Sequence, residues 1–193
     1  MSYEELNALV AVSSPELSAS VCEFLISKGI YRVRTADCMH EAIDHMLKTE
    51  ISLFVIDGQL VATHEDLRNL VVGVDFARFI RMCEDPVSEA HVIFFRSSTD
   101  CLDLIEANNE IMEAQQAGVT CILPQPFCAD RFETIAEPFI LHPQAFVRSE
   151  NYTGPSRRVT DVPVAVDRRN GKKPENPAND DNGDDNGGEL SFG

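Results

Sequence analysis

Short apolar runs recur along most of the chain, and longer segments with helical spacing separate them. The run at residues 51–57 places five apolar side chains within six positions and ends at Asp57, just before Gly58. A run this short, rich in β-branched and aromatic side chains, is typical of a strand buried on both faces at the centre of a parallel sheet. Further runs predict strands at residues 6–12, 92–95 and 119–123, and alternating side chains at residues 30–36 predict one more strand.

Polar residues between the runs predict where helices begin and end. Ser14 is placed to cap a helix that runs to about residue 28, and Ser13 and Glu16 also match the spacing of a capping box. Gly29 is suited to end this helix in a left-handed conformation. Asp37 is the expected cap of a second helix, whose apolar residues at 42, 43, 46 and 47 share one face.

Three more helices are predicted downstream. Residues 67–82 have helical spacing, but Gly73 interrupts them, so this segment is either two helices or a loop and a helix that begins near Asp75. Residues 101–117 predict a long helix closed by Gly118, and residues 129–137 predict the last one. Strands and helices thus alternate five times, which indicates an α/β fold with a doubly wound, five-stranded parallel sheet of the flavodoxin-like type.

The character of the chain changes after residue 142, where apolar periodicity disappears and Pro, Asn, Asp and Gly become frequent. We therefore predict a domain at residues 1–142. An extension at 143–169 can pack back on that domain through Phe146, Val147 and Tyr152. Residues 170–193 predict a disordered acidic tail, because such a composition buries too little apolar surface to offset the entropy of ordering.

Charge narrows the expected partners. The formal net charge is -16, and residues 1–142 hold 9 Lys and Arg against 23 Asp and Glu. A domain this acidic repels phosphate backbones and anionic lipid, so we expect neither nucleic acid nor a membrane surface as a partner. The six cysteines show no metal-type spacing, and no signal peptide or membrane-length apolar run is present. We expect a cytoplasmic protein without a metal centre.

Asp57 is the first candidate for chemistry. Open α/β sheets place their functional side chains at the carboxyl ends of the strands, where Asp57 would lie. The alternative is that Asp57 and Gly58 form only a tight turn, since both residue types favour turns.

With five βα units, Asp57 after the third strand and Gln125-Pro126-Phe127 after the fifth, the chain resembles the receiver domain of bacterial response regulators over residues 5–140. The segments Gly73–Arg81 and Gly118–Leu123 also resemble the start of the third helix and the approach to the fifth strand in that family. A later segment, Tyr152–Arg158, is similar to a Tyr-x-Gly-Pro-x-Arg-Arg sequence that follows some receivers. The resemblance implies a (βα)5 receiver fold, two-component signalling, and a phosphoryl group accepted by Asp57 from a histidine kinase.

The chain departs from the receiver pattern around this aspartate. Receivers hold Mg²⁺ partly with a carboxylate pair after the first strand, and the matching positions here are Val12 and Ser13. Val12 offers no ligand, and the Ser13 hydroxyl is neutral and is one candidate for the helix cap. The lysine that precedes the family's proline is replaced by Gln125, which carries no positive charge to pair with a phosphoryl group. We therefore expect no resident cofactor, and Mg²⁺ only if the site proves active.

Other predicted pocket residues are Gln59, Ser97 and Pro126. The family's hydroxyl at the end of the fourth strand is either replaced by Arg96 or supplied by Ser97 if the register slips by one residue. Arg96 can pair with Asp57 in place of the metal and the lysine, or it can point to solvent. The loop from Asp57 to the third helix is about eight residues longer than is usual in receivers, and we expect it to remodel the mouth of the pocket.

Three functions follow. The first is a stand-alone atypical receiver that is not an enzyme and acts through contacts with a protein partner, a histidine kinase or a downstream regulator, with impaired or absent Mg²⁺-dependent phosphorylation. In receivers such contacts use the face of the fourth helix, fifth strand and fifth helix, which here includes parts of Leu102–Phe132. The second is an active receiver that is phosphorylated at Asp57. The third is an unrelated flavodoxin-like domain that binds a small ligand or a flavin.

Overall fold

A parallel five-stranded sheet forms the centre of the protein. The computed structural model describes residues 3–63, 70–97 and 104–157. The strands are β1 (Asn7–Ala11), β2 (Arg32–Ala36), β3 (Leu53–Asp57), β4 (His91–Arg96) and β5 (Cys121–Pro124). Their order in the sheet is β2-β1-β3-β4-β5, and every pair is parallel. The predicted doubly wound architecture is confirmed.

Helices cover both faces of this sheet. They are α1 (Pro15–Ser27), α2 (Met39–Lys48), α3 (Gly73–Met82), α4 (Leu104–Gln116), α5 (Ala129–Arg131) and α6 (Glu137–Leu141). A π-helical turn, Phe132–Ala136, joins α5 to α6, so the last helical segment runs past the predicted end at residue 137. No helix in the described part of the chain is long and apolar enough to cross a lipid bilayer.

Two apolar clusters pack against the two sheet faces, and both take residues from the central strand. Phe54 and Ile56 lie in the cluster shared with α2, α3 and α4, whereas Leu53 and Val55 lie in the cluster shared with α1 and α6. All five residues of β3 are buried. The uninterrupted apolar run therefore encodes a strand that faces protein on both sides, as its composition predicted.

The helix starts agree with the sequence only in part. Ser14 is the N-cap of α1, and its hydroxyl accepts a hydrogen bond from the Leu17 N–H at 3.3 Å. The predicted cap at Asp37 is wrong, because Cys38 occupies the N-cap of α2 and makes no capping bond with its side chain. Gly73 does not interrupt a helix but begins α3. Gly29 and Gly118 have positive φ angles of 91° and 79°, as expected of glycines that end helices.

A β-hairpin follows the domain, formed by β6 (Phe146–Ser149) and β7 (Tyr152–Pro155). It contacts the amino edge of the sheet, opposite Asp57. The buried Arg81 side chain of α3 lies beneath it, with its guanidinium carbon 5.4 Å from the centre of the Phe146 ring. Met1–Arg157 form one compact unit, so this part of the predicted extension packs on the domain. The predicted disordered tail at 170–193 lies outside the described residues.

Candidate functional site

Asp57 is the last residue of β3 and pairs in register with Phe95 of β4. Its side chain emerges at the carboxyl edge of the sheet but is only 3% exposed. One carboxylate oxygen accepts two hydrogen bonds, from the Gln59 N–H at 3.1 Å and from the Gln125 side-chain amide at 2.8 Å. Both donors are uncharged, so among the residues that the structure describes the carboxylate is held by dipoles and not by a cation.

Burial governs the ionisation of this carboxyl group. Loss of water around it raises the pKa of Asp57, because the charged form is the one that solvation favours. The two hydrogen bonds from Gln59 and Gln125 lower that pKa and offset part of the rise, whereas the negative charge of Glu110 adds to it. None of these three groups supplies the positive charge that the Asp57 carboxylate would need to take up a further negatively charged group.

The two positions after β1 are closed to a metal ion. The Val12 side chain is 2% exposed and belongs to the apolar cluster that it shares with α1. The Ser13 hydroxyl donates to the Asp37 carbonyl at 3.0 Å and accepts from the Val61 N–H at 3.3 Å. Ser13 takes no part in capping α1, so that interpretation of its hydroxyl is wrong.

The long segment after β3 folds over the Ser13 side of the site. Val61 forms a parallel bridge to Cys38 and an antiparallel bridge to Val71, and the Val72 N–H donates to the Leu60 carbonyl at 2.7 Å. Residues 64–69 of this segment lie outside the described residues. The part that is described forms a small ladder at the carboxyl edge, and its Val61 N–H donates to the Ser13 hydroxyl. This ladder is how the long loop changes the mouth of the pocket.

Ser97 supplies the hydroxyl on the other side of the site. It follows β4, is 2% exposed, and accepts a hydrogen bond from the Gln59 side-chain amide at 2.5 Å. Its own hydroxyl donates to Glu110 of α4 at 2.7 Å, and its N–H donates to the same carboxylate. Glu110 could not be identified from the sequence, because the reach of a helical side chain to a strand end depends on how the helix docks.

Arg96 does not pair with Asp57. Alternate residues of a strand face opposite sides of a sheet, and Phe95 is the residue in register with Asp57, so Arg96 projects to the other face. There it lines a cavity between α4 and β5 together with Ile111 and Gln115. The proposed ion pair is therefore wrong, and Ser97 is the residue that returns to the side of Asp57.

The last predicted pocket residues lie after β5. Gln125 is half-buried and reaches Asp57, whereas Pro126 is exposed. The peptide bond between them is cis. Two of the predicted pocket residues, Gln59 and Gln125, thus bond to Asp57 directly, and Ser97 is linked to it through Gln59. Ser13 lies at the edge of this group, and Val12 is part of the core.

Glycines allow this close arrangement. A Cβ atom on Gly58 would collide with the Glu110 carboxylate and would lie 2.9 Å from the Ser97 hydroxyl. A Cβ atom on Gly73 would collide with the carbonyl oxygen of Asp57 and would lie 2.9 Å from the Gly58 Cα atom. The start of α3 therefore packs directly against the backbone that carries Asp57.

The residues present do not fit a magnesium ion. Mg²⁺ takes oxygen ligands in near-octahedral geometry and is usually held by more than one anionic group. Here Asp57 is the one carboxylate in the group formed with Val12 and Ser13, and the Ser13 hydroxyl is already bonded on both sides. Within the described ranges, no three His, Cys, Asp or Glu side chains are grouped so that they could hold a metal ion.

Solved structures of receiver domains have the same fold. The receiver domain of NtrX from Brucella abortus matches with a TM-score of 0.54 at 22% identity, over 70% of this chain and 98% of that one. A putative response regulator from Chloroflexus aurantiacus has a TM-score of 0.54 at 18% identity, over 70% and 97%. The receiver domain of a sensor histidine kinase from Pseudomonas aeruginosa, with a magnesium ion in its active-site cleft, has a TM-score of 0.50 at 18% identity, over 67% and 92%.

The chain therefore has the receiver fold. It spans 26% of a longer NtrX chain that matches with a TM-score of 0.54 at 23% identity. No protein-family model matches the sequence. No curated protein matches it significantly either.

Proposed function

We propose that this protein is an atypical receiver module of two-component signalling that works through protein contacts and does not undergo Mg²⁺-dependent phosphorylation. It is a binding protein and not an enzyme. Its partner is a histidine kinase or a downstream regulator, met in the cytoplasm.

One observation carries the proposal: the buried Asp57 carboxylate is bonded to the Gln59 N–H and the Gln125 amide, both of them neutral. Phosphoryl transfer to a carboxylate needs positive charge around the moving group, from a metal ion and a cationic side chain. Gln125 matches the position of the family's lysine but is uncharged. Val12 and Ser13 match the positions of the family's metal ligands but carry no carboxylate.

The electrostatics beside the site support the same proposal. A cavity of about 350 Å³ adjoins Gln59 and Ser97. Four acidic residues are among those that line it: Asp75, Glu106, Glu110 and Glu113. A phosphodonor is an anion, so this cavity disfavours its approach.

The surface of α4 supports the role in protein contacts. Ile105 is 70% exposed and Met112 is 56% exposed, and the two lie seven residues apart on one side of the helix. Apolar side chains that share an exposed helical face are typical of protein-binding surfaces. Binding at this face is how the module would act.

Magnesium binding tests the proposal in the full chain. Isothermal titration with Mg²⁺ should give no saturable heat for the wild type, because neither Val12 nor Ser13, at the two positions after β1, supplies a second carboxylate ligand. The double variant Val12→Asp/Ser13→Asp should gain a one-site heat, provided that its circular dichroism shows a folded protein. Saturable binding to the wild type that Asp57→Asn abolishes would contradict the proposal.

A further inference from the structure

A cavity of about 320 Å³ lies at the amino edge of the sheet, opposite the candidate functional site. Its lining combines Ile51, His91 and Thr120, which precede or begin strands, with Phe146 and Pro155 of the hairpin. Sites for small molecules are concave and mostly apolar, with volumes from about 300 Å³ upwards and a few polar groups that orient the ligand. The hairpin therefore forms one wall of a cavity that is large enough for a small ligand.

The buried side chain of Arg81, 6% exposed, also lines this cavity. Its Nε donates to the Gly118 carbonyl at 2.8 Å, and its Nη1 donates to the Ser88 and Ala90 carbonyls, both at 2.7 Å. The remaining nitrogen, Nη2, is buried and has no hydrogen-bond partner among the described residues. Because a buried donor that stays unbonded is costly and rare, Nη2 is the group that would bond to an acceptor in the cavity.

The charge of Arg81 has no counter-ion in the part of the chain that the structure describes. All three of its hydrogen-bond acceptors are neutral backbone carbonyls. Desolvation lowers its pKa to about 10, so the guanidinium still carries its positive charge at neutral pH. A buried charge is stabilised by a partner of opposite sign, which makes the inner end of the cavity favourable for an anion.

The other ionisable groups of the lining limit how much negative charge that anion can carry. His91 is 8% exposed, and burial lowers its pKa to about 4, so it is neutral at pH 7 and adds no second cation. The two acidic residues of the lining, Glu50 and Glu89, are exposed. Glu89 pairs with Arg148 at 3.2 Å. One buried cation with carboxylates on the solvent side favours a single negative charge over the two of a phosphate.

We infer that this cavity binds a small monocarboxylate that has an apolar body. One carboxylate oxygen would accept a hydrogen bond from Arg81 Nη2, and the apolar body would contact the Phe146 ring and Pro86. Such a ligand would link the hairpin to the domain, because both contribute to the lining. The inference does not depend on the chemistry of Asp57.

An amide NMR titration of the full chain tests this inference with benzoate as the probe. Benzamide is the matched control, because it has the same ring and a similar shape but no charge. Benzoate should bind saturably and about tenfold more tightly than benzamide, since a hydrogen bond between two charged groups is stronger than a neutral one. The shifts should centre on residues 90–91 and 144–146.

Two further anions separate the sources of affinity. Acetate keeps the carboxylate but lacks the apolar body, and inorganic phosphate brings more charge without apolar surface. Both should bind more weakly than benzoate, because neither buries apolar area against the cavity wall.

A pair of charge variants locates the binding. Gln144 is half-buried in the lining, so Gln144→Glu should weaken benzoate binding about fivefold through repulsion of the carboxylate. Gln116→Glu makes the same change at an exposed position of α4, outside this cavity, and should leave the affinity unchanged. Arg81→Gln should remove the preference for benzoate over benzamide if circular dichroism shows that it folds. If it does not fold, the Gln144 and Gln116 variants decide.

Several outcomes would overturn the inference: equal affinity for benzoate and benzamide, tighter binding of acetate or phosphate, shifts centred elsewhere, or equal effects of Gln144→Glu and Gln116→Glu. Absence of saturable benzoate binding would overturn it as well, and would mean that water alone satisfies Arg81 Nη2. A wild type that binds benzoate here and also accepts a phosphoryl group at Asp57 would refute the proposed function and leave this inference intact.

Discussion

At the scale of single residues, the chemistry of the site depends on which side of the sheet a side chain faces. Arg96 and Ser97 are neighbours in sequence, yet Arg96 lines the cavity between α4 and β5, whereas Ser97 bonds to Gln59 next to Asp57. Strand alternation assigns them to opposite faces. Arg96 is therefore directed away from the Asp57 carboxylate, and Gln125 meets that carboxylate with a neutral amide.

Close packing around single glycines contributes to the stability of the domain. Gly73→Ala should lower the free energy of unfolding by about 2–4 kcal/mol, because its Cβ would collide with the Asp57 carbonyl in a backbone-lined site that cannot easily relax. Urea denaturation measures this change. Gly29→Ala is the comparison, because nothing lies within 4 Å of its Cβ. This substitution should lower the free energy of unfolding by only roughly 1 kcal/mol, since alanine disfavours the left-handed backbone at this position. A smaller loss at Gly73 than at Gly29 would contradict this packing argument.

At the scale of elements, apolar patterning predicted more than capping patterns did. The central strand follows from the run at residues 51–57, because burial on both faces leaves a continuous apolar signal, whereas the mostly exposed edge strand β2 was predicted from alternation. The start of α2 was missed, since a polar residue such as Asp37 before a helix signals a cap whether or not its side chain makes one. Hairpin β6–β7 was foreseen only as an extension that could pack. Its partner, the buried Arg81, gives no sequence signal that separates it from a surface arginine.

The hairpin is stabilised by contacts with this arginine. Arg81 is 6% exposed and donates hydrogen bonds to the carbonyls of Gly118, Ser88 and Ala90, and desolvation lowers its pKa to about 10. The Phe146 ring lies 5.4 Å from the guanidinium carbons of both Arg81 and Arg148. The face of an aromatic ring attracts cations, so the Phe146 ring stabilises both guanidinium groups.

We therefore expect Phe146→Ala to destabilise the protein by roughly 1–2 kcal/mol, from the loss of buried ring surface and of the two cation contacts. Val147→Ala, next to it on the strand, should change the stability by less than about 0.5 kcal/mol, because Val147 is 40% exposed. Thermal denaturation followed by circular dichroism compares them. Equal effects of the two substitutions would show that the hairpin does not depend on the Phe146 contact.

At the scale of the whole molecule, a buried histidine should couple stability to pH. His91 begins β4 and is 8% exposed, and desolvation, with a further contribution from the Arg81 charge, lowers its pKa to about 4. The unfolded chain titrates near the ordinary value of about 6.5. Between these two values the unfolded state binds a proton that the folded state does not, so stability falls as the pH falls from about 6.5 to 4.

The expected loss across that interval from this residue is roughly 2–3 kcal/mol. It should disappear in His91→Gln, whereas His142→Gln, at an exposed position after α6, should retain it. Urea denaturation at a series of pH values measures the slope for each variant. An unchanged slope in His91→Gln would mean that another group accounts for the dependence.

The groups described around Asp57 are neutral or acidic, and we therefore expect its carboxylate to take up no phosphoryl group. Intact-mass spectrometry of the full chain after incubation with Mg²⁺ and acetyl phosphate measures this directly. We predict no added phosphoryl group on the wild type, the same as for Asp57→Asn. A wild-type mass increased by one phosphoryl group, and absent from Asp57→Asn, would contradict the account.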